Sequence, residues 1–311
     1  MKESDFYRLM YEQEICKRKS GAESTADLYR VVRNRLKCYC RGKPLTLRGV
    51  TALLVSGFRN SLEMDRLCTN TVNSYISNLR AMYNRAVMQI GLRRKESPFK
   101  GVRLRYEETA KRSIPLAAVE RIAELDLSGH PHLQVAADMA LFSFMACGMP
   151  FADLVRLTGK NISKNGKYVI YRRKKTNAFI QVEMNRGMKQ IVSRYRKAGS
   201  SLLFPVLPKD AKHEEYKALL SLYNRHLKKI GNILGISEPL TSYVFRHSWA
   251  SAAYRCNVRI GIISQALGHG TEQMTRNYLS LLDPEEIALA NHRVVGKVET
   301  FVRGRKEYPY L

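Results

Sequence analysis

The sequence predicts a mainly α-helical protein with a small antiparallel sheet, organised as a helical N-terminal domain followed by a mixed α+β domain. Three observations carry that expectation. At 311 residues the chain has room for about two domains of roughly 150 residues each. Apolar residues recur at the helical period through most of its length. That period gives way once, around residues 168–184, to two runs of strand-like alternation.

The elements follow in chain order. The first hundred residues read as helices. Ser24-Thr25 caps a helix in which Leu28, Val32, Leu36 and Tyr39 form the apolar stripe and Arg30, Arg33, Arg35 and Lys37 the basic remainder. From Thr69-Asn70-Thr71 onward, Val72, Tyr75, Ile76, Leu79, Tyr83, Ala86 and Ile90 keep the 3.6-residue period until Gly91 stops it. Residues 91–115 lose the period and carry Arg93, Arg94, Lys95, Lys100, Arg103, Arg105, Lys111 and Arg112, which marks an interdomain linker. The pattern restarts after Pro115 with Val119, Ile122 and Ala123, then an apolar helix from Leu133 to about Ala146. Lys164-Asn165-Gly166-Lys167 is a turn, 168–172 and 179–184 are the strands, and helices resume near 188–197, 216–233, 243–256, 260–267 and 284–292. Asp283 caps the last of these, with Pro284 at its first position.

Charge then narrows the function. There are 53 Lys and Arg against 27 Asp and Glu, a net +26, which makes a polyanion the natural partner and argues against a neutral-surface metabolic enzyme. The longest apolar stretch, Leu133 to Phe151, is broken by Gln134, Asp138, Gly148 and Pro150 and falls short of a membrane span. The acidic start of the chain lacks a secretory apolar run, so a cytoplasmic location is expected. Cys16, Cys38, Cys40, Cys68, Cys147 and Cys256 form no CxxC pair, and no zinc spacing is seen; no metal and no cofactor are expected.

The informative segments are Arg246-His247-Ser248-Trp249-Ala250, then Ala266-Leu267-Gly268-His269-Gly270, then Thr275-Arg276-Asn277-Tyr278. They resemble the second half of the tyrosine recombinases, the phage-integrase type of DNA strand-transfer enzymes. In that family an RH(S/T) box precedes an LGH box whose His lies nine residues before a nucleophilic Tyr, the offset that separates His269 from Tyr278. Thr71 to Arg80 also resembles the helix of the family's core-binding domain. The resemblance implies a SAM-like DNA-binding domain over 1–108 and a catalytic domain over 109–311.

It further implies that Tyr278 attacks a DNA phosphodiester and that Arg246 and His269 stabilise the crowded, negatively charged phosphorus. An acid is needed for the leaving 5′ oxygen. Lys175 is the candidate, because Arg172-Arg173-Lys174-Lys175-Thr176-Asn177 forms the tip of the hairpin where the family carries a Lys; Lys174 is the other register. Arg80, Arg172, Arg173 and Lys174 are candidates for holding DNA. The implied partners are double-stranded DNA, three further copies of the chain in a tetramer docked through the 284–292 helix, and accessory DNA-bending or directionality factors. The alternative for that helix is packing on its own domain. Arg303-Gly304-Arg305-Lys306 is a further basic run.

The sequence departs from the family in two places. Gly148 and Asp153 set the register of a segment in which Pro150 stands where an Arg is usual, and Cys147 stands where some relatives carry it just before the Gly. Tyr243 replaces the His of the HxxR box, and a phenol is a poor base at neutral pH. Arg156, Arg172 and Arg173 are the nearby cations. Two alternatives therefore stay open beside a site-specific recombinase: a DNA-binding protein that has lost catalysis, and a topoisomerase-like nicking and closing enzyme.

Overall fold

A computed structural model of the chain describes residues 5–93, 95–107, 112–195, 201–208 and 210–276, together with Asn291. Tyr278, the helix expected over 284–292 apart from Asn291, and the basic run 303–306 lie outside the described residues. The chain divides into two compact units, 1–109 and 110–311. The architecture is that expected from the sequence: helices throughout and, among the described residues, one two-stranded antiparallel sheet.

The first unit holds α1 (Phe6–Lys19), α2 (Glu23–Tyr39), α3 (Ala52–Met64) and α4 (Thr69–Ile90). Asp5 and Thr51 open α1 and α3, their side-chain oxygens accepting from the main-chain N–H of Tyr7 and Leu54. By contrast α2 starts at Glu23 with no side-chain cap bond, so Ser24-Thr25 lies inside the helix rather than before it. α4 ends as its sequence predicts, on Gly91 in the left-handed region (φ 64°). Phe6, Val32, Phe58, Ile76 and Leu79 meet in a core fully removed from solvent.

The sequence pattern does not delimit α1 and α3. In α1 two inward positions are polar: Gln13 donates to Met82 O at 2.9 Å, and Glu14 is held by Arg33 at 2.6 Å and Arg18 at 3.3 Å. In α3, Leu53 and Met64 face solvent and blur the stripe formed by Val55, Phe58 and Leu62. Part of the basic stretch after α4 is also anchored. Asn73 and Asn70 of α4 donate to Arg105 O and Glu107 O, both at 2.8 Å.

The second unit begins with α5 (Leu116–Glu124) and α6 (Pro131–Met145), the apolar helix around which its core is packed. A short α7 (Phe151–Leu154) and a 3-10 turn lead to β1 (Tyr168–Arg172) and β2 (Phe179–Glu183). These pair antiparallel with Arg172 opposite Phe179, so Val169, Tyr171, Ile180 and Val182 point into the core from alternate positions. Then come α8 (Arg186–Tyr195), α9 (His213–Ile233), α10 (Ser242–Arg255), α11 (Ile260–Leu267) and α12 (Glu272–Arg276). No described helix is long and apolar enough to cross a membrane.

Candidate active site

α10 carries the centre of the site. Val244, Phe245, Ser248 and Ala250 are buried around it, and Ser248 ties it down: its hydroxyl donates to Val244 O and accepts from Ile114 N at 2.9 Å. Arg246 projects from this fixed frame and is only 2 % exposed. Its Nη1 donates to Gly148 O at 2.8 Å and its Nη2 to Leu267 O at 2.7 Å. A buried guanidinium needs such acceptors, because an uncompensated charge in the interior costs several kcal/mol.

Both acceptors sit on backbone turns that few residues permit. The turn after α6 runs through Cys147 and Gly148, with φ of 57° and 69°, and Ser143 closes it by donating to Met149 O at 2.7 Å. A Cβ on Gly148 would lie 2.8 Å from Arg246 Cα, so glycine is required by the close approach as well as by the backbone angle. α11 ends on Gly268 (φ 63°), with His269 N–H returning to Ser264 O at 3.0 Å, the wide bond of a Schellman cap. That cap aims the Leu267 carbonyl at Arg246 and places the His269 ring beside it: Nε2 lies 3.0 Å from Arg246 Nη2, and Nδ1 lies 2.9 Å from Thr275 Oγ1.

The hairpin supplies a second guanidinium. Arg173, one of the candidates for holding DNA, is only 6 % exposed. Its Nη1 donates to Leu267 O at 2.6 Å, the same oxygen that Arg246 uses, and its Nε approaches Asp153 Oδ2 at 3.4 Å. Asp153 also accepts from Lys174 N–H at 2.9 Å and so clamps the turn to α7. A buried carboxylate demands a cationic partner, and Asp153 was the sequence signal from which this pairing could have been read.

The other expected residues are placed as follows. Lys174, Lys175 and Arg172 are exposed at or beside the hairpin tip, with Arg172 donating to Asn177 O at 3.1 Å. Arg156 donates to Ala152 O and covers the Tyr216 ring at 4.9 Å. Tyr243 is 45 % exposed, with its ring 6.1 Å from that of His247. Arg80, in the first unit, is half-buried over Phe99 and donates to Val102 O at 2.9 Å. Thr275, which the motif reading passed over, is completely buried against His269.

Burial, reinforced by the charges of Arg246, Arg173, Lys175 and His247, pushes the His269 pKa down from 6.5 to about 4. The imidazole is therefore neutral near pH 7. Burial also pushes the Cys147 thiol up to about 11, which makes it an inert packing group rather than a nucleophile. Among the described residues no group of three or more His, Cys, Asp or Glu is placed to hold a metal ion. Two buried guanidinium groups and a neutral imidazole thus meet at the Leu267–His269 turn, a set of groups whose chemistry suits a phosphate.

A helical unit followed by a second unit with a buried Arg, a neighbouring His and a basic hairpin is the combination that the sequence resemblance implies for a DNA strand-transfer enzyme. Comparison with known proteins agrees with that class. The phage integrase family matches residues 117–285, and the phage integrase SAM-like domain matches 5–102. The chain belongs to the phage integrase family, the tyrosine-type site-specific DNA recombinases. It is 22 % identical over 268 residues to a tyrosine recombinase of Pseudothermotoga lettingae, covering 82 % of this chain and 86 % of that protein. Its fold is similar to the Tn1549 transposon integrase solved in complex with transposon right end DNA (TM-score 0.65, 15 % identity, 94 % of this chain and 100 % of the other). It is likewise similar to a lambda integrase dimer bound to a core site (TM-score 0.60, 15 % identity, 81 % and 88 %).

Proposed function

We propose that this chain cuts and rejoins duplex DNA at specific sites through a 3′-phosphotyrosine on Tyr278, with Arg246, Arg173, His269 and Lys175 as the groups that meet the reacting phosphate. The observation that carries the reading is the convergence of Arg246, Arg173 and His269 on the Leu267–His269 turn. The Arg that the family carries near Gly148 is replaced here by Cys147 and Pro150. Arg173 compensates: it comes from the hairpin and brings a guanidinium to the same carbonyl that Arg246 uses. Loss of one such donor typically costs about 10²- to 10³-fold in rate, so the replacement separates an active enzyme from a silent one.

In this reading the phenol oxygen of Tyr278 attacks phosphorus and the P–O5′ bond breaks. The phenol proton passes to His269, and Lys175 protonates the leaving 5′ oxygen. Rejoining runs the same steps in reverse with an incoming 5′ hydroxyl. Lys175 is chosen because the family carries its Lys on this hairpin turn, with Lys174 as the other register. Arg172 and Lys174 hold the backbone beside the scissile phosphate. Residues 1–108 form the core-binding domain and 109–311 the catalytic domain; four copies assemble on paired sites inside the bacterial cell, with accessory DNA-bending or directionality factors.

One observation favours a second reading, a sequence-specific binder without catalysis: Tyr243 offers a solvent-exposed phenol where the family carries a His. A duplex site selected by the protein from a randomised library, nicked so that cleavage traps the adduct, decides between the two. The expected result is a denaturant-resistant protein–DNA species that disappears in Tyr278→Phe. Tight binding without that species establishes the silent binder. An adduct accompanied by plasmid relaxation but no partner exchange establishes a nicking and closing enzyme.

A further inference from the structure

Among the described residues His269 has ring contacts with Arg246 and Thr275, and their chemistry fixes where its proton sits. A guanidinium has donors and no acceptor, so across the 3.0 Å contact Arg246 Nη2 donates and His269 Nε2 accepts. Burial first, and then the charges of Arg246 and His247 of α10 and of Arg173 and Lys175 of the hairpin turn among the described residues, keep the ring neutral near pH 7. A neutral imidazole carries one proton, which is then on Nδ1. At 2.9 Å from Nδ1, the Thr275 hydroxyl is its acceptor. Thr275 is completely buried, and a hydroxyl in that position is held in a set orientation rather than shared with water.

We propose that Thr275 is a positioning residue: by accepting from Nδ1–H it holds His269 in the tautomer whose bare Nε2 faces Arg246, so that Nε2 is the atom that takes the Tyr278 proton. This rests on the cleavage chemistry proposed above. In the free protein Arg246 occupies Nε2. A DNA phosphate that draws the Arg246 N–H to its own oxygen frees Nε2 at the moment substrate arrives. As the Oη–P bond forms and the P–O5′ bond breaks, the phenol proton moves to Nε2 while Nδ1–H stays on Thr275. The imidazolium so formed is stabilised by the phosphate charge. Rejoining returns the proton to the phenol oxygen. Since Tyr243 replaces the other family His, His269 is the imidazole through which this chain holds that proton.

The test uses the full chain labelled with ¹⁵N at histidine, with His269→Gln assigning the resonance, and adduct formation on the nicked site followed against pH. The parent should show a protonated Nδ1 and a bare Nε2 at neutral pH. Thr275→Val should lose that tautomer preference and form adduct about 10- to 100-fold more slowly, the cost of removing a group that orients a functional His, with an altered pH profile and duplex binding retained. Thr275→Ser, which restores the acceptor, should recover both readouts. A protonated Nε2 in the parent overturns the proposal and requires no variant to fold. So does a Thr275→Val protein that cleaves at the parent rate with the parent pH profile. If adduct persists in Tyr278→Phe, the cleavage reading itself fails, which the tautomer measurement registers separately.

Discussion

Arg173 and Arg246 donate to a single acceptor, the main-chain oxygen of Leu267, at 2.6 and 2.7 Å. Two guanidinium groups this close repel each other, and the surroundings offset that cost in two ways. The oxygen lies at the C-terminal end of α11, where the helix dipole is negative, and Asp153 lies against the far side of Arg173. If a DNA phosphate binds here as proposed, it completes the balance, and the electrostatics of this pair improve on binding.

Arg173→Lys should therefore separate folding from catalysis. Lysine keeps the charge near Asp153 and avoids a buried unpaired carboxylate, whose exposure by an Ala substitution would cost about 3–5 kcal/mol. It cannot reach Asp153 and Leu267 O with a planar fork. The expected outcome is a melting temperature close to the parent and adduct formation slowed about 10²-fold. Equal rates for the variant and the parent would remove Arg173 from the reacting centre.

Gly148, at the site, should respond to substitution more severely than a glycine elsewhere with the same backbone requirement. Gly148→Ala strains a left-handed backbone and places a Cβ 2.8 Å from Arg246 Cα, a main-chain atom of a buried helix. Gly235 has the same backbone requirement (φ 62°) and open space around it. Gly235→Ala should cost about 1 kcal/mol, and Gly148→Ala clearly more, with Arg246 displaced. Thermal or urea unfolding of the two variants measures the difference. Comparable losses would show that the close approach to α10 carries no weight.

Much of this was legible in the chain, for reasons that differ by residue. α4 announces itself because its inward positions are nearly all apolar and Gly91 marks its end. The hairpin shows in the switch from the helical period to alternation. Arg246, His269 and their spacing from Tyr278 are a motif, and the structure brings the first two within 3.0 Å of each other. α1 escaped delimitation because Gln13 and Glu14 occupy inward positions and are satisfied there by Met82 O, Arg18 and Arg33, a long-range arrangement that no periodicity reveals. Arg173 looked like its neighbours Arg172 and Lys174. What turns it inward is Asp153, 20 residues earlier, together with a glycine at 268 that leaves room for its side chain. A Cβ there would meet Arg173 Cδ at 2.6 Å.

Acid should weaken the fold partly through His269. The ring titrates near 6.5 in an unfolded chain and near 4 in the folded protein. Between those values the unfolded chain binds the additional proton, so the stability that depends on a neutral ring is complete above pH 6.5 and is lost as pH falls toward 4. In His269→Asn the fall in melting temperature between about pH 7 and about pH 4.5 should be shallower than in the parent. An unchanged slope would mean that this ring is not held neutral by its surroundings. Phosphate binding should act in the opposite direction, raising the ring's proton affinity, so the duplex-bound protein should lose less stability over the same range.

Thiol reactivity offers a probe of the turn that carries Gly148. Burial holds the Cys147 pKa near 11, whereas the exposed Cys68 is lowered by the hydroxyl and main-chain N–H of Thr71. Brief alkylation near neutral pH, mapped by mass spectrometry, should modify Cys68 well before Cys147, because the thiolate is the reacting species. Cys147→Ser should leave adduct formation within about threefold of the parent, as befits a residue with no chemical step. Early labelling of Cys147 would show that the α6 end is open to solvent.

The assignment of Lys175 as the acid makes a prediction that depends on the leaving group. A 5′ oxygen must be protonated as it departs, whereas a 5′ sulfur leaves as a thiolate because a thiol ionises near pH 8.5. Lys175→Ala should therefore slow cleavage of the ordinary nicked duplex by about 10²- to 10⁴-fold, the usual contribution of general acid catalysis. On a duplex with sulfur at the bridging 5′ position the same variant should react close to the parent rate. Lys174→Ala is the control for register. Its main-chain N–H, which binds Asp153, survives the substitution, so the clamp on the hairpin persists and both substrates should react within a few-fold of the parent. Equal losses on the oxygen and sulfur substrates for Lys175→Ala would mean that Lys175 holds phosphate charge without delivering a proton. A sulfur-specific rescue of Lys174→Ala would shift the acid to the neighbouring residue.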